Sequence, residues 1–213
     1  MVDLDPQASL SASSGVHVED GSSLAQVLLG AVPMAEILYG LAATLSLAPS
    51  SIDLAYTELV LIGKMGRENQ LHRSLEGVAE NFDYCLIDCP PSLGLLTLNG
   101  LVAASQALIP ARPEYLGLRA LHQLLTTIEE VHKELNPSLQ VLGILPTFWR
   151  SRVKHHEEVL VAWQEAGLPI LEIKIPETVR AAEAPVQAQS ISDYAPGSPI
   201  AAAYQKLAEK IDA

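Results

Sequence analysis

Three aspartates stand where a parallel β-sheet would put catalytic carboxylates. In Tyr84-Cys85-Leu86-Ile87 an apolar run delivers Asp88, and Pro90-Pro91 forces the chain out of the strand directly afterwards. A carboxylate at the carboxyl end of a buried strand can hold a water of a magnesium shell while the metal bridges two phosphates, which is the Walker B pattern. Standing alone, Asp88 would read as a helix N-cap or a solvated acid at a strand end. The opening stretch MVDLDPQAS supplies a second strand end with two more carboxylates, Asp3 and Asp5, before Pro6-Gln7 breaks into a loop. Two such ends side by side would set three carboxylates around one cation and one water, an arrangement suited to phosphoryl transfer.

The elements that must position these acids follow from periodicity. Continuous apolar runs at Tyr84–Ile87, Ala107–Ile109 and Val141–Leu145 read as strands covered on both faces, and Ile170–Ile175 reads as a fourth. Between them Leu118, Leu121, Leu125, Ile128 and Leu135 recur at helical spacing until Asn136-Pro137. A second helix carries Val153, Val159, Leu160 and Trp163 and closes at Gly167, and a third starts at Ser198-Pro199 and buries Ile200, Tyr204, Leu207 and Ile211. In the first third, Ser9 to Ser23 reads as a Ser- and Gly-rich loop, Leu24 to Leu29 as a short helix, Leu45 to Ala48 as a strand, and Ile52 to about Ala79 as a long helical stretch. The expected fold is α/β, one domain over residues 1–213, with a mostly parallel sheet and helices on both faces.

Composition excludes several classes of function. With 49% hydrophobic and 18% charged residues the chain is too apolar to be disordered, and no run approaches the roughly 20 unbroken apolar residues of a membrane span. A net charge of -12 excludes a surface that attracts nucleic acid everywhere, so any DNA contact needs a local basic patch. Asp3 and Asp5 occupy the place of a signal peptide's positive charge, so a cytoplasmic protein is expected. Cys85 and Cys89 supply too few ligands for a zinc site and read as core thiols of a reducing compartment. His155-His156-Glu157-Glu158 does not read as a metal site, because adjacent helical residues diverge.

The stretches VDLDPQ, YCLIDCPPSLGLLTLNGL, LIPARPEYLGLRAL and IPETVRAAEAP, in this order, resemble the ParA/MinD family of deviant Walker A ATPases, particularly its ParA partition branch. The similarity covers nearly the whole chain and includes SIDLAYTEL and AYQKLAEKI. It implies a P-loop NTPase-like fold, with ATP and magnesium as cofactors. It further implies that Asp5 is the switch aspartate orienting the attacking water, Asp3 its companion near the magnesium, and Asp88 the Walker B acid, the metal being held mainly through water. Pro176 and the loop after it, with Pro185, correspond to the segment that packs on the adenine. Arg180, in R-x-x-E-A-P with Glu183, corresponds to a DNA contact of the nucleotide-bound dimer. Arg150 and Arg152, in the basic cluster beside Trp149, would join it in a DNA-facing patch. Implied partners are a second ParA-like chain in a homodimer or heterodimer, a ParB-like or adaptor protein, and nonspecific DNA.

The family's phosphate-binding loop, a glycine-rich turn with two lysines and a Thr or Ser, precedes VDLDPQ, and this chain begins after it. The nearest substitute, Ile62–Arg67, lacks the upstream glycine and has Met65 in place of the magnesium-binding hydroxyl. The expectation is therefore an N-terminally incomplete member, without the first strand and P-loop, inactive by itself and with strand edges left unpaired. The leading functional expectation is a chromosome- or plasmid-partitioning or cargo-positioning ATPase. The alternatives are a non-catalytic interaction protein that pairs with an intact relative or adaptor, and an ATP-dependent ligase of the cobyrinate or dethiobiotin synthetase type.

Overall fold

The computed structural model describes residues 1–18, 22–114 and 117–212. They form two compact units, one of Met1–Ser105 with Val131–Leu139 and one of Gln106–Glu130 with the residues from Gln140 onward.

In the first unit, strand β1 (Val2–Asp3) leads into helices α1 (Ser9–Ser13) and α2 (Leu24–Leu29), then the hairpin β2 (Tyr39–Ala42) and β3 (Leu45–Leu47). Helices α3 (Asp53–Leu61) and α4 (Gln70–Leu75), strand β4 (Ile87–Asp88) and helix α5 (Leu95–Ala103) follow. β1 pairs in parallel with β4, and on its other edge Val2 bridges Ala48. The core gathers Val2, Leu4, Leu24, Leu28, Leu54 and Leu96 with their neighbours. α2 is held at both ends: Ser23 and Gln26 form a capping box, and Gly30 ends the helix at φ 78°, which a glycine adopts without strain.

The second unit begins with β5 (Gln106–Ala111), runs through α6 (Gly117–Glu134), whose last turn is counted in the first unit, and pairs β5 in parallel with β6 (Gln140–Pro146). Helices α7 (Lys154–Glu165), α8 (Val179–Glu183), α9 (Ile191–Tyr194) and α10 (Pro199–Ile211) complete it. Leu145, Ile175, Ile200 and Leu207 form its core. As read from the sequence, Gly167 follows α7 in the left-handed conformation (φ 76°), and the Ser198 hydroxyl accepts from the Ala201 N–H at the start of α10.

Several local expectations are corrected. The strand expected at Tyr84–Ile87 as covered on both faces is reduced to β4 (Ile87–Asp88), and Tyr84, Cys85 and Leu86 before it are exposed, so Cys85 is not a core thiol. Ser9 to Ser13 is a helix rather than loop, with its neighbours Glu19–Gly21 outside the described residues. The β2–β3 hairpin precedes the strand expected at Leu45–Ala48. The helical stretch from Ile52 ends at Leu61 and resumes only after Gly66, in the left-handed region at φ 62°, as shorter pieces. Ile170–Ile175 is not a continuous strand: it touches β6 at the bridge Ile144–Ile170 and returns where the Ile175 N–H donates to the Pro146 carbonyl. Among the described residues β4 and β5 each have one strand neighbour, and Phe82, Tyr84 and Leu86 just before β4 are exposed. No helix among the described residues is long and apolar enough to cross a membrane.

Candidate functional site

The parallel register of β1 and β4 sets Asp3 beside Asp88. Backbone bonds fix it, with the Val2 N–H donating to the Leu86 carbonyl and the Leu4 N–H to the Asp88 carbonyl, both at 2.8 Å. Both strands therefore end at one place, and three acids converge there.

They differ in environment. Asp3 is fully buried, and its carboxylate is engaged on both oxygens: Oδ2 accepts from the Ser11 N–H (2.8 Å) and hydroxyl (2.7 Å), Oδ1 from the Asp5 N–H (3.2 Å). Ser11 Oγ in turn accepts from the Ser50 N–H, and the Ser50 hydroxyl donates to the Asp5 carbonyl at 2.6 Å. The loop after β1 is thus tied to α1 and to the segment after β3. Charge-assisted bonds of this kind are the strong ones, and a buried carboxylate persists only with such partners.

Asp5 is half-buried and spends one oxygen on the Gln7 N–H at 2.9 Å, an Asx turn closed by Pro6. Ala8 completes the turn in the left-handed region (φ 52°), a conformation that costs a non-glycine residue and marks a loop shape fixed by its surroundings.

Asp88 reaches solvent, yet its pKa lies above the ordinary carboxylate range, first because one flank is desolvated and then because Asp3 and Asp5 lie near it. A cation would relieve that repulsion. Among the described residues no three His, Cys, Asp or Glu converge closely enough to hold a metal directly. The donor set fits a magnesium ion that keeps most of its waters and touches the protein through one or two carboxylates.

The loop after Asp88 is braced from below. The Thr97 hydroxyl donates to the Ser92 carbonyl (2.6 Å), and Glu58 of α3 accepts from the Leu96 N–H at the start of α5. Fully buried Asn99 donates to the Arg67 and Leu95 carbonyls and accepts from the Leu71 N–H. Gly100 lets α5 close on β4: a Cβ there would stand 2.6 Å from Cys89 Sγ. Burial, with Asp88 second, pushes the Cys89 thiol up to about 12, so it is an inert packing group, as read. Ser11, Ser50, Glu58, Thr97 and Asn99 were not singled out from the sequence. Thr97 and Asn99 lie inside the Walker B stretch and Glu58 inside SIDLAYTEL, so the signal lay in the motif but their partners did not.

Ile62–Arg67 is no phosphate cradle. Lys64 Nζ donates to the Leu29 carbonyl at 3.0 Å, and Arg67 bonds back to the Ile62 carbonyl.

The remaining expected residues belong to the second unit. Arg150 is engaged by Glu177, with Nη2 donating to Oε1 at 2.8 Å and Nε to Oε2, and this pairing raises the arginine's pKa and lowers the glutamate's. It ties the segment after β6 to the one carrying Pro176, whose backbone bridges Trp149. Arg112 lies 3.8 Å over the Phe148 ring and Lys174 4.1 Å over the Trp149 ring. His156 Nδ1 accepts from the Arg150 N–H while the ring packs on Trp149, so that histidine has a structural role. Arg152 and Arg180 are exposed, Arg180 in α8, which the Thr178 hydroxyl caps. Pro185 is exposed in the single turn after α8. Of LIPARPEYLGLRAL, Tyr115 and Leu116 lie outside the described residues.

A family model described as an AAA domain matches residues 1–141. The chain is 37% identical over 221 residues to the sporulation initiation inhibitor protein Soj of Bacillus subtilis, covering 100% of this chain and 85% of that protein. Among solved structures, a McdA variant of Cyanothece in complex with ATP superimposes with a TM-score of 0.87 at 26% identity, covering 99% of this chain and 84% of that one. The cobyrinic acid a,c-diamide synthase of Mycobacterium smegmatis, bound to an ATP analogue and magnesium, superimposes with a TM-score of 0.79 at 40% identity, covering 88% of this chain and 77% of that one.

Proposed function

The chain belongs to the ParA/MinD family of P-loop NTPase-like ATPases, and from that premise we propose that it is a ParA-type partitioning or cargo-positioning protein. The observation that carries this reading is the in-register pairing of Asp3 with Asp88, with Asp5 presented from a fixed turn between them. Asp5 is the catalytic acid, holding and orienting the water that attacks the terminal phosphate. Asp3 is a positioning residue, because its oxygens are committed to Ser11 and to the Asp5 N–H. Asp88 is the outer acid that would hold a magnesium ion through one of its waters. Magnesium, when bound with ATP, would neutralise the charge developing on the transferred phosphoryl group. Pro176 and Pro185 are assigned to the adenine side.

Nonspecific DNA binding is assigned to Arg152 and Arg180, which are exposed, with Arg150 shaping the segment through Glu177. The partners in this reading are a second ParA-like chain and a ParB-like or adaptor protein that stimulates the cycle.

The test is ATP turnover of the endogenous protein with DNA present. Asp5→Ala is expected to lower turnover at least about 100-fold, the loss of a group acting on the attacking water. Turnover equal to wild type would refute the assignment. DNA affinity should fall steeply with salt through counterion release, and a flat response would remove Arg152 and Arg180 from the reading.

A second reading, a non-catalytic chain pairing with an intact relative or adaptor, is favoured by one observation: Lys64, in the only stretch resembling a phosphate loop, is spent on the Leu29 carbonyl. It requires that these 213 residues alone bind no ATP, and micromolar ATP binding would exclude it. A ligase reading rests on the likeness to the diamide synthase, and ATP-dependent amidation of a carboxylate substrate would establish it.

A further inference from the structure

The end of α2 and the end of α4 enclose a cleft of about 480 Å³ in the first unit, a volume within the range of small-molecule sites. Its walls are apolar: Val27 of α2 and Val32 and Met34 of the segment that follows line it together with Val78 beyond α4. Gly30 leaves the α2 side open, since a Cβ there would meet nothing within 4 Å. Met34 and Val78 also line a second, smaller cavity with Leu38 and Leu75, so the apolar wall extends beyond the cleft.

Two charges stand on this apolar surround, and neither is used. Arg73 and Glu76 are the charged residues of the lining, one in the last turn of α4 and the other at its C-cap. Both are exposed, and among the described residues neither enters a salt bridge or a side-chain hydrogen bond, with each other or with any third group. The Arg73 guanidinium lies against Gly66, where a Cβ would stand 3.1 Å from Nη2, and Gln70 Nε2 donates to the Gly66 carbonyl, which ties that turn to α4. Lys64 and Arg67, the preceding cations, are spent on the Leu29 and Ile62 carbonyls. Arg73 is not.

From these features we propose that the cleft binds a small zwitterion with an apolar body, an apolar amino acid or short apolar peptide, its carboxylate on Arg73, its ammonium on Glu76 and its hydrocarbon against Val27, Val32 and Val78. An anion alone would meet the Glu76 carboxylate and a cation alone the guanidinium, whereas a zwitterion satisfies both. A guanidinium offers a carboxylate two parallel N–H donors, and the walls favour a ligand whose middle is hydrocarbon. No lining residue belongs to the carboxylate end of the sheet, so the proposal does not depend on ATP turnover.

The test is calorimetric titration of the 213-residue chain with leucine and with leucyl-leucine, both ends free. At least one of the two is expected to bind with a Kd below about 1 mM, and the tighter identifies a free amino acid or a peptide as the source of the zwitterion. N-acetylation or amidation of that probe should each weaken it at least about tenfold, the loss of one charge-assisted contact. The variants assign the charges: Arg73→Gln should abolish the cost of amidation and leave that of acetylation, and Glu76→Gln should do the reverse. Both residues are exposed, so both variants keep the wild-type circular dichroism and melting profile. Ala35→Trp, at an exposed position of the lining, should fill the cleft and remove binding of the free probe. Failure of both probes to bind below about 10 mM, binding indifferent to acetylation and amidation, or charge variants that leave both costs in place would overturn the proposal. None of these results touches the ATPase reading, which fails only on the Asp5→Ala turnover.

Discussion

The carboxylate end of the first unit and the arginine loops of the second are built on opposite principles. Around Asp3 a charge is buried and every oxygen is occupied, so the loop bearing Asp5 has one shape. Around Arg150 a charge pair of similar chemistry sits on the surface, where water competes and the pairing adds little. The first arrangement holds the loop bearing Asp5 through buried, charge-assisted hydrogen bonds. The second joins two surface segments through a pair that water screens. Rigidity and charge are thus invested in different units.

The largest test of this contrast is Asp3→Ala. It strands the Ser11 hydroxyl and the Ser11 and Asp5 N–H groups in the interior, and should lower stability by about 3 kcal/mol. Chemical denaturation measures this, and a loss below about 1 kcal/mol would place the carboxylate among surface-like acids instead.

Next comes the contact that sets α5 against β4. Gly100→Ala should destabilise by about 1 to 2 kcal/mol, the cost of forcing Cys89 aside exceeding the gain in helix propensity. In a Cys89→Ala background the same change should become neutral or stabilising. A double-mutant cycle without that reversal of sign would show that the backbone, not the thiol, limits the approach.

A smaller effect is expected at Asp88. Its folded pKa is raised, so ionisation opposes folding: the wild type has its full stability below the unfolded carboxylate pKa and loses some as pH rises through the raised folded value. Asp88→Asn should therefore be more stable than wild type at neutral pH, by less than about 1 kcal/mol after solvent screening, with the advantage vanishing in acid. Melting temperatures at pH 4 and pH 7 decide it. A constant difference would remove the electrostatic explanation.

The smallest effect belongs to Glu177→Ala, which should leave the melting temperature nearly unchanged because both partners of the pair are exposed. Amide exchange of the segment after β6 should quicken, and that readout separates a local tether from a stabilising bridge.

The sequence was most informative where a local pattern has one structural solution. Ile87-Asp88 followed by two prolines is a strand end in any fold, and Ser198-Pro199 opens a helix wherever an apolar stripe follows. It was less informative where the outcome depends on distant partners. Serines at 9, 11 and 13 read as loop, yet the stretch becomes a helix once buried Asp3 takes the Ser11 N–H and hydroxyl. Ile170–Ile175 has the composition of a strand but meets β6 only in part, with Gly143 at φ 148° and the Pro169 carbonyl pressed close to it.

The same division runs through the site. Asp3, Asp5 and Asp88 stand out as candidates because strand-end acids near prolines are chemically conspicuous, and the motif order was enough to place the chain in its family. What only the tertiary structure decided is which acid is buried and which is wet, and which arginine is already paired. Those properties belong to Ser11, Ser50 and Glu177, residues whose proximity arises from folding, and desolvation and pairing depend on distance in space rather than along the chain.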